Sequence, residues 1–272
     1  NNNKGLTIMN FIKHISQLLL KVMLISGLFA GHSAIADDHA TAGSETRNAM
    51  WVHQCSLNEG KSLSDVDKAL TGWRKWKEEV DWKGFTFQLT PAYFNLPGDL
   101  DLIWINNASF EHYGETMTNW NDSGVAAQRA IDKVVSCKVE LYSSWVKYFP
   151  EMAEGAQGDG PKMVDFQTCT PIAPVPALIQ KHAEYVEAMK AANSRVVWGM
   201  YAPISGVSSV NIIGNPAGTV GHMEWFPNME VYAATHGNRV NNAELRQNLQ
   251  EYYSEYMNCD SRVSFNVEML HS

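Results

Sequence analysis

Two tryptophans and four cysteines constrain this chain most, because they recur at nearly the same spacing. Trp104 stands 33 residues before Cys137, Trp225 stands 34 before Cys259, and a further cysteine lies upstream of each tryptophan, at Cys55 and Cys169. The stretch Trp104-Ile-Asn-Asn-Ala-Ser-Phe-Glu-His-Tyr113 returns in altered form as Trp225-Phe-Pro-Asn-Met-Glu-Val-Tyr232. Each copy reads as a strand end running into a helix, so the chain is expected to be one unit written twice.

The elements follow the same plan in both halves. In the first, Met50–Leu57 has strand composition. A helix capped by Ser62 or Ser64 runs to about Val80, with Val66, Ala69, Leu70, Trp73 and Trp76 at helical spacing on one face. Phe85, Phe87 and Leu89 alternate with polar residues as a second strand that stops near Pro91. Leu100–Trp104 is a third strand, a helix in two pieces covers about 109–117 and 124–136, and Cys137–Tyr148 alternates as a fourth. Residues 151–162, rich in Gly and Pro, read as a linker. The second half repeats the order with strands at 163–169, 195–202, 219–225 and 262–270 and helices at 176–192 and 242–257. Its loop Pro203–Gly218 is the longest departure between the copies, and loops on a fixed scaffold are common places for function.

The chain has 272 residues, 45% apolar and 11% aromatic, with nine tryptophans. That suffices for two ordinary cores, one in residues 49–150 and one in 163–272. Residues 1–36 read as a secretory leader with Met9 as the start: Lys13 and Lys21 border the apolar run Val22–Ala30, and Ala34-Ile-Ala36 suits cleavage. Residues 37–48 are small and polar and are expected to be a mobile mature N-terminus. No segment after the leader approaches a membrane-spanning helix. Without residues 1–36 the chain keeps 18 basic and 29 acidic residues, a net charge of −11. This disfavours nucleic acid or anionic membrane as partner. The expected location is periplasmic or secreted, and the sequence carries no signal for an oligomeric state.

An even cysteine count outside the cytoplasm suggests two disulfides, and the spacing holds no Cys-x-x-Cys for zinc or thioredoxin chemistry. A β-α-β-β-α-β unit gives an antiparallel sheet with its fourth strand beside its first. The end of one strand then meets the start of the other. Cys55 should reach Cys137, and Cys169 should reach Cys259. Four free buried thiols are the alternative.

At Trp104-Ile-Asn-Asn-Ala-Ser-Phe110-Glu-His112-Tyr113 the chain resembles the dimeric α+β barrel superfamily, in particular antibiotic-biosynthesis-monooxygenase-like domains. The resemblance covers about 49–148 and 163–271. It implies an α+β fold: two tandem ferredoxin-like βαββαβ units whose antiparallel sheets pack as a barrel, here within one chain. Relatives include cofactor-free oxygenases acting on activated aromatics, haem-degrading enzymes, and domains without established activity. Haem degraders use an Asn on the first strand, a Trp at the third and a His on the next helix. Trp104 and His112 match the last two in kind, but the first strand offers His53 and Gln54, and His236 falls late in the second copy. No motif implies a cofactor, and haem lacks one of its three residues.

With the cysteines as register marks, Trp51 and His53 share a strand face, matched by Asp165 and Gln167, with Val52 and Phe166 opposite. That polar face lines a cavity or forms a hydrogen-bonded seam. His112 and His53 are the candidate catalytic groups. Trp104, Trp225, Asn107, Asn228 and Gln167 are candidate ligand contacts. The plainer readings are a surface or capping histidine, core tryptophans, and helix caps at Asn107 and Asn228. His222 and Glu224 share a face, and only a particular packing of the halves would add His53 and Asp165 to make a metal site, so none is expected. No Gly-x-Ser-x-Gly, phosphate loop or His-Glu-x-x-His is present. Two functions follow. One is a small-molecule binder or enzyme with an apolar or aromatic ligand. The other is a non-catalytic envelope protein whose 203–218 loop contacts a partner.

Overall fold

The computed structural model describes residues 46–92, 100–150, 162–206 and 218–271. The expected leader, residues 37–45 of the expected mobile N-terminus, residues 151–161 of the linker and positions 207–217 of the long loop lie outside these residues, while Asn48, placed in that N-terminus, opens the first strand. The first half runs β1 (Asn48–Leu57), α1 (Leu63–Ala69), α2 (Thr71–Glu79), β2 (Phe85–Pro91), β3 (Leu102–Ser109), α3 (Phe110–Ser123), α4 (Val125–Asp132) and β4 (Val135–Tyr148). The second runs β5 (Met163–Pro171), α5 (Val175–Ala191), β6 (Val197–Ser205), β7 (Val220–Phe226), α6 (Met229–Asn241), α7 (Ala243–Glu251), a π-turn (Tyr252–Tyr256), β8 (Met257–Cys259) and β9 (Val263–His271).

All pairings are antiparallel, and the order β4-β1-β3-β2 in the first half is matched by β9-β5-β7-β6 in the second. Two seams join them. β2 pairs with β9, and β4 pairs with β6. The sheet therefore closes on itself as β1-β3-β2-β9-β5-β7-β6-β4, and closure removes the free edges that each half alone would present.

One core fills the barrel. Met50, Val52, Ile103 and Ile105 from the first half meet Val164, Phe166, Met223 and Phe265 from the second, all buried. The halves thus share a core, where the sequence suggests one for each. Gly221 lies under the Tyr201 ring, in space that any Cβ would take from it. The helices cover the outer face. Cys55 stands opposite Cys137 and Cys169 opposite Cys259, and both pairs are disulfides with Cα atoms 4.1 and 4.0 Å apart.

Several boundaries move. The first helix breaks at Leu70 into α1 and α2, and at the start of α1 the Ser62 N–H donates to Asp65 Oδ2 at 3.1 Å. β3 runs on to Ser109, whose Oγ accepts from His112 N–H and caps α3. Helix α6 opens where the stretch after Trp225 is expected to run into a helix, with Asn228 as its cap, and extends to Asn241, while the expected 242–257 helix ends early in the π-turn and β8.

The repeat itself is shifted. Cys55 pairs with Leu102 and Cys169 with Val220, so the counterpart of Trp104 is His222, and Trp225 matches Asn107. Three residues is an odd offset, which puts the two tryptophans on opposite faces. Trp104 is outside, under the helices, and Trp225 packs inside against Phe87 and Phe166.

Candidate functional site

Beneath the first-half helices the space is filled by rings. Trp51 lies between Trp82, 5.4 Å away, and Tyr113, 4.9 Å away, while Trp76 and Trp120 meet edge to face at 4.6 Å. Trp104 donates from Nε1 to Gln88 Oε1 at 2.9 Å. His112 packs on Trp82 at 5.1 Å, its Nε2 accepts the Lys83 N–H at 2.9 Å, and its Nδ1 lies 3.3 Å from Glu115 Oε2. Both ring nitrogens are engaged, so His112 pegs the turn after α2. That also excludes it as a haem ligand, and haem does not fit the first half. His53 sits half-buried beside Trp104, and burial lowers its pKa to about 4. No contact joins it to His112 among the described residues.

The other candidates divide. Asn107 belongs to β3, where it accepts from Asn48 Nδ2 and donates to Ser144 Oγ at 2.6 Å, so it caps nothing. Asn228 does cap its helix, accepting the Val231 N–H at 2.9 Å. Gln167 takes the Tyr253 hydroxyl at 3.1 Å and gives to Asp260 O at 2.8 Å. It stands behind the wall of a cavity on the other side of the molecule.

That cavity lies between the second-half helices and the outer face of β6 and β7, with a volume of about 310 Å³. Tyr185 and Ala188 of α5, Trp198 of β6, and Leu245 and Leu249 of α7 give it apolar walls. Tyr185 meets Trp198 edge to face at 5.0 Å. His182, His222 and Tyr252 make a polar row. Tyr252 Oη is 2.8 Å from His182 Nε2 and 3.3 Å from His222 Nε2. Burial lowers His182 to about 3 and His222 to about 4, and each is further disfavoured by a neighbour, His222 and Arg262 respectively. Both imidazoles are therefore neutral near pH 7.

Glu224 ends the row. Burial on its own would raise its pKa, but Arg239 Nη2 at 2.5 Å and Arg262 Nη1 at 2.6 Å hold it down to about 2. Arg262 also donates from Nη2 to Tyr253 Oη at 3.0 Å. Its position depends on a register change. Cys169 faces Cys259, yet Phe166 faces Val263, so one extra residue is accommodated between β8 and β9. The first-half strand β4 runs unbroken through the equivalent stretch. Next to Glu224 across β5 and β7, buried Asp165 lies 2.9 Å from His236 Nε2 and accepts from Ser264 Oγ at 2.7 Å.

His222 and Glu224 share a face as expected, but His53 does not join them. Three strand spacings separate β1 from β7, about 14 Å of sheet. Of the residues singled out in sequence, His222 and Glu224 line the cavity and Gln167 stands behind its wall, while His112, His53, Trp104, Trp225, Asn107 and Asn228 do not line it. His182, Trp198, Tyr252 and Arg262 give no sequence signal, because three elements and a bulge bring them together.

No family model and no curated protein matches the sequence. Solved structures do. A protein from Fusobacterium nucleatum subsp. nucleatum, described as a candidate monooxygenase, matches with a TM-score of 0.50 at 9% identity, over 84% of this chain and 94% of that one. A candidate monooxygenase from Lactobacillus acidophilus gives 0.49 at 10% identity, over 82% and 93%. A chlorite dismutase mutant from Candidatus Nitrospira defluvii, solved in complex with cyanide, gives 0.45 at 11% identity, over 86% and 95%. The fold is a dimeric α+β barrel. In this barrel both sheets belong to one chain, and the seams β2–β9 and β4–β6 stand where the two sheets meet.

Proposed function

We propose that this barrel is an exported small-molecule-binding protein of the monooxygenase-like type, and that it takes a small aromatic ligand in the second-half cavity. The observation that carries the reading is the cavity between α5, α7 and β6–β7. It is walled by Trp198, Tyr185, Leu245 and Leu249, with a short polar row at one side. Pockets of this character, mostly apolar with a few placed polar groups, hold ligands from about 300 Å³ upward. At about 310 Å³ the space suits one or two fused rings. A flat ligand would lie along Trp198 and Tyr185 and turn its polar edge to the His182–Tyr252–His222 row.

Export is supported by the leader-like residues 1–36 and by two disulfides, which persist in oxidising compartments. Among the described residues no helix is long and apolar enough to cross a membrane. The test is thermal unfolding against a panel of phenols, quinones and fused-ring aromatics, with Trp fluorescence read in parallel. At least one compound should raise the melting temperature and quench fluorescence, and Leu249→Trp, which fills the cavity, should abolish both. A folded protein indifferent to the whole panel would leave the barrel as a non-catalytic scaffold.

A further inference from the structure

Three potential ligand atoms converge at the cavity side. The Nε2 atoms of His182 and His222 both point at the same oxygen, Tyr252 Oη, from 2.8 and 3.3 Å. They come from α5, β7 and the π-turn, and single π-turns often occur at functional sites. We propose that His182 Nε2, His222 Nε2 and Tyr252 Oη form a three-ligand site for a divalent cation of the zinc class, with the fourth position open to the cavity.

The donor chemistry fits. Imidazole and phenolate suit zinc, and zinc centres that act on a substrate commonly use three protein ligands and keep one position free. Among the described residues no three side chains drawn from His, Cys, Asp and Glu converge. Here the third donor is a phenol. The hydrogen-bonded row is already near ligand spacing, since donors bound at about 2.0–2.2 Å to one tetrahedral ion stand roughly 3.3–3.6 Å from one another. The row holds one phenol proton and one Nε2 proton. On binding, the phenol proton leaves to solvent, and the imidazole that donated takes its Nδ1–H tautomer, freeing both Nε2 lone pairs. Arg262 and Lys147 are cations that act on the site, and the ion pair of Arg262 with Glu224 offsets its repulsion.

The inference rests on the cavity reading only for the open position. The experiment is calorimetric titration of chelator-stripped full-length chain with Zn(II), with Co(II) absorption as the optical probe. One Zn(II) should bind per chain, and Co(II) should give the visible bands of a four-coordinate centre. His182→Ala, His222→Ala and Tyr252→Phe should each weaken Zn(II) binding by about tenfold or more, and His112→Ala should not change it. If the histidine variants lose their near-UV circular dichroism, Tyr252→Phe decides, because it removes one oxygen. An absent one-to-one complex, or unchanged affinity in Tyr252→Phe, overturns the site. Aromatic ligands that bind without any zinc binding would sink the metal alone. Zinc binding with a silent aromatic panel would sink the ligand reading alone.

Discussion

The two halves carry the same strand order and the same disulfide, yet they use the space under their helices in opposite ways. At matched positions on the outer face, the first half has Trp51, His53, Trp104 and Asn106 where the second has Asp165, Gln167, His222 and Glu224. Indoles close the first interface. Carboxylates, guanidiniums and neutral imidazoles hold the second open beside a cavity. A sheet-and-helix scaffold tolerates both because the barrel interior, shared by the halves, supplies the common core.

The largest effect expected from this contrast is at its matched pair of aromatic rings. Trp104→Ala removes a ring packed on Cys55, Leu102 and Ile131 and should cost about 4 kcal/mol in urea unfolding. His222→Ala, at the same register beside existing space, should cost less than about 2 kcal/mol. Equal losses would mean that the second interface is packed as tightly as the first.

Next comes the charged row. Glu224→Gln leaves Arg239 and Arg262 buried without their carboxylate, and unfolding free energy should fall by about 3 kcal/mol. Asn106→Ala, its neutral counterpart, removes only the acceptor for Thr86 Oγ1 and should cost about 1–2 kcal/mol. If Asn106→Ala proves as costly, the buried ion pairs are not what separates the halves.

The smallest effect is the share of the acid sensitivity that His53 adds in the first half, beside the shares of His182 and His222 in the second. His53 titrates near 4 in the folded chain and near 6.5 unfolded, so between these values the unfolded state binds more protons. Stability contributed by the neutral ring is complete above pH 6.5 and is lost as pH falls toward 4, by about 2 kcal/mol for a half-buried ring. His53→Gln, which installs the residue found at position 167, should make that limb of the unfolding curve shallower and leave the part that His182 and His222 contribute. A limb that persists unchanged would assign the acid sensitivity elsewhere.

Much of the architecture was legible in the chain because it depends on local periodicity and on covalent reach. Period-two alternation marked Phe85–Leu89 and Cys137–Tyr148, and the disulfides followed from strand order. The register of the repeat was not. Matching Trp104 to Trp225 relied on similar residues near similar spacings, and an odd offset reverses a side chain's face. The start of helix α6 shows at the Asn228 cap, but its length does not, because none of its residues is buried and no apolar stripe marks it. His112 drew attention by its chemistry, but chemistry alone does not say that Lys83 and Trp82 occupy both its edges and its face.

The sequence by itself determined the α+β class, the two sulfur bridges and the pairing of Trp51 with Asp165 and of His53 with Gln167. These rest on side-chain alternation and on fixed counts along single strands. Tertiary structure alone decided where a ligand could go. His182, His222, Tyr252 and Arg262 lie on three elements and the β8–β9 link, spread over about 80 residues, and their meeting depends on helix placement and on one extra residue in that link. A single bulge re-aims a side chain without altering the pattern that marks a strand, so nothing in the linear order announces it.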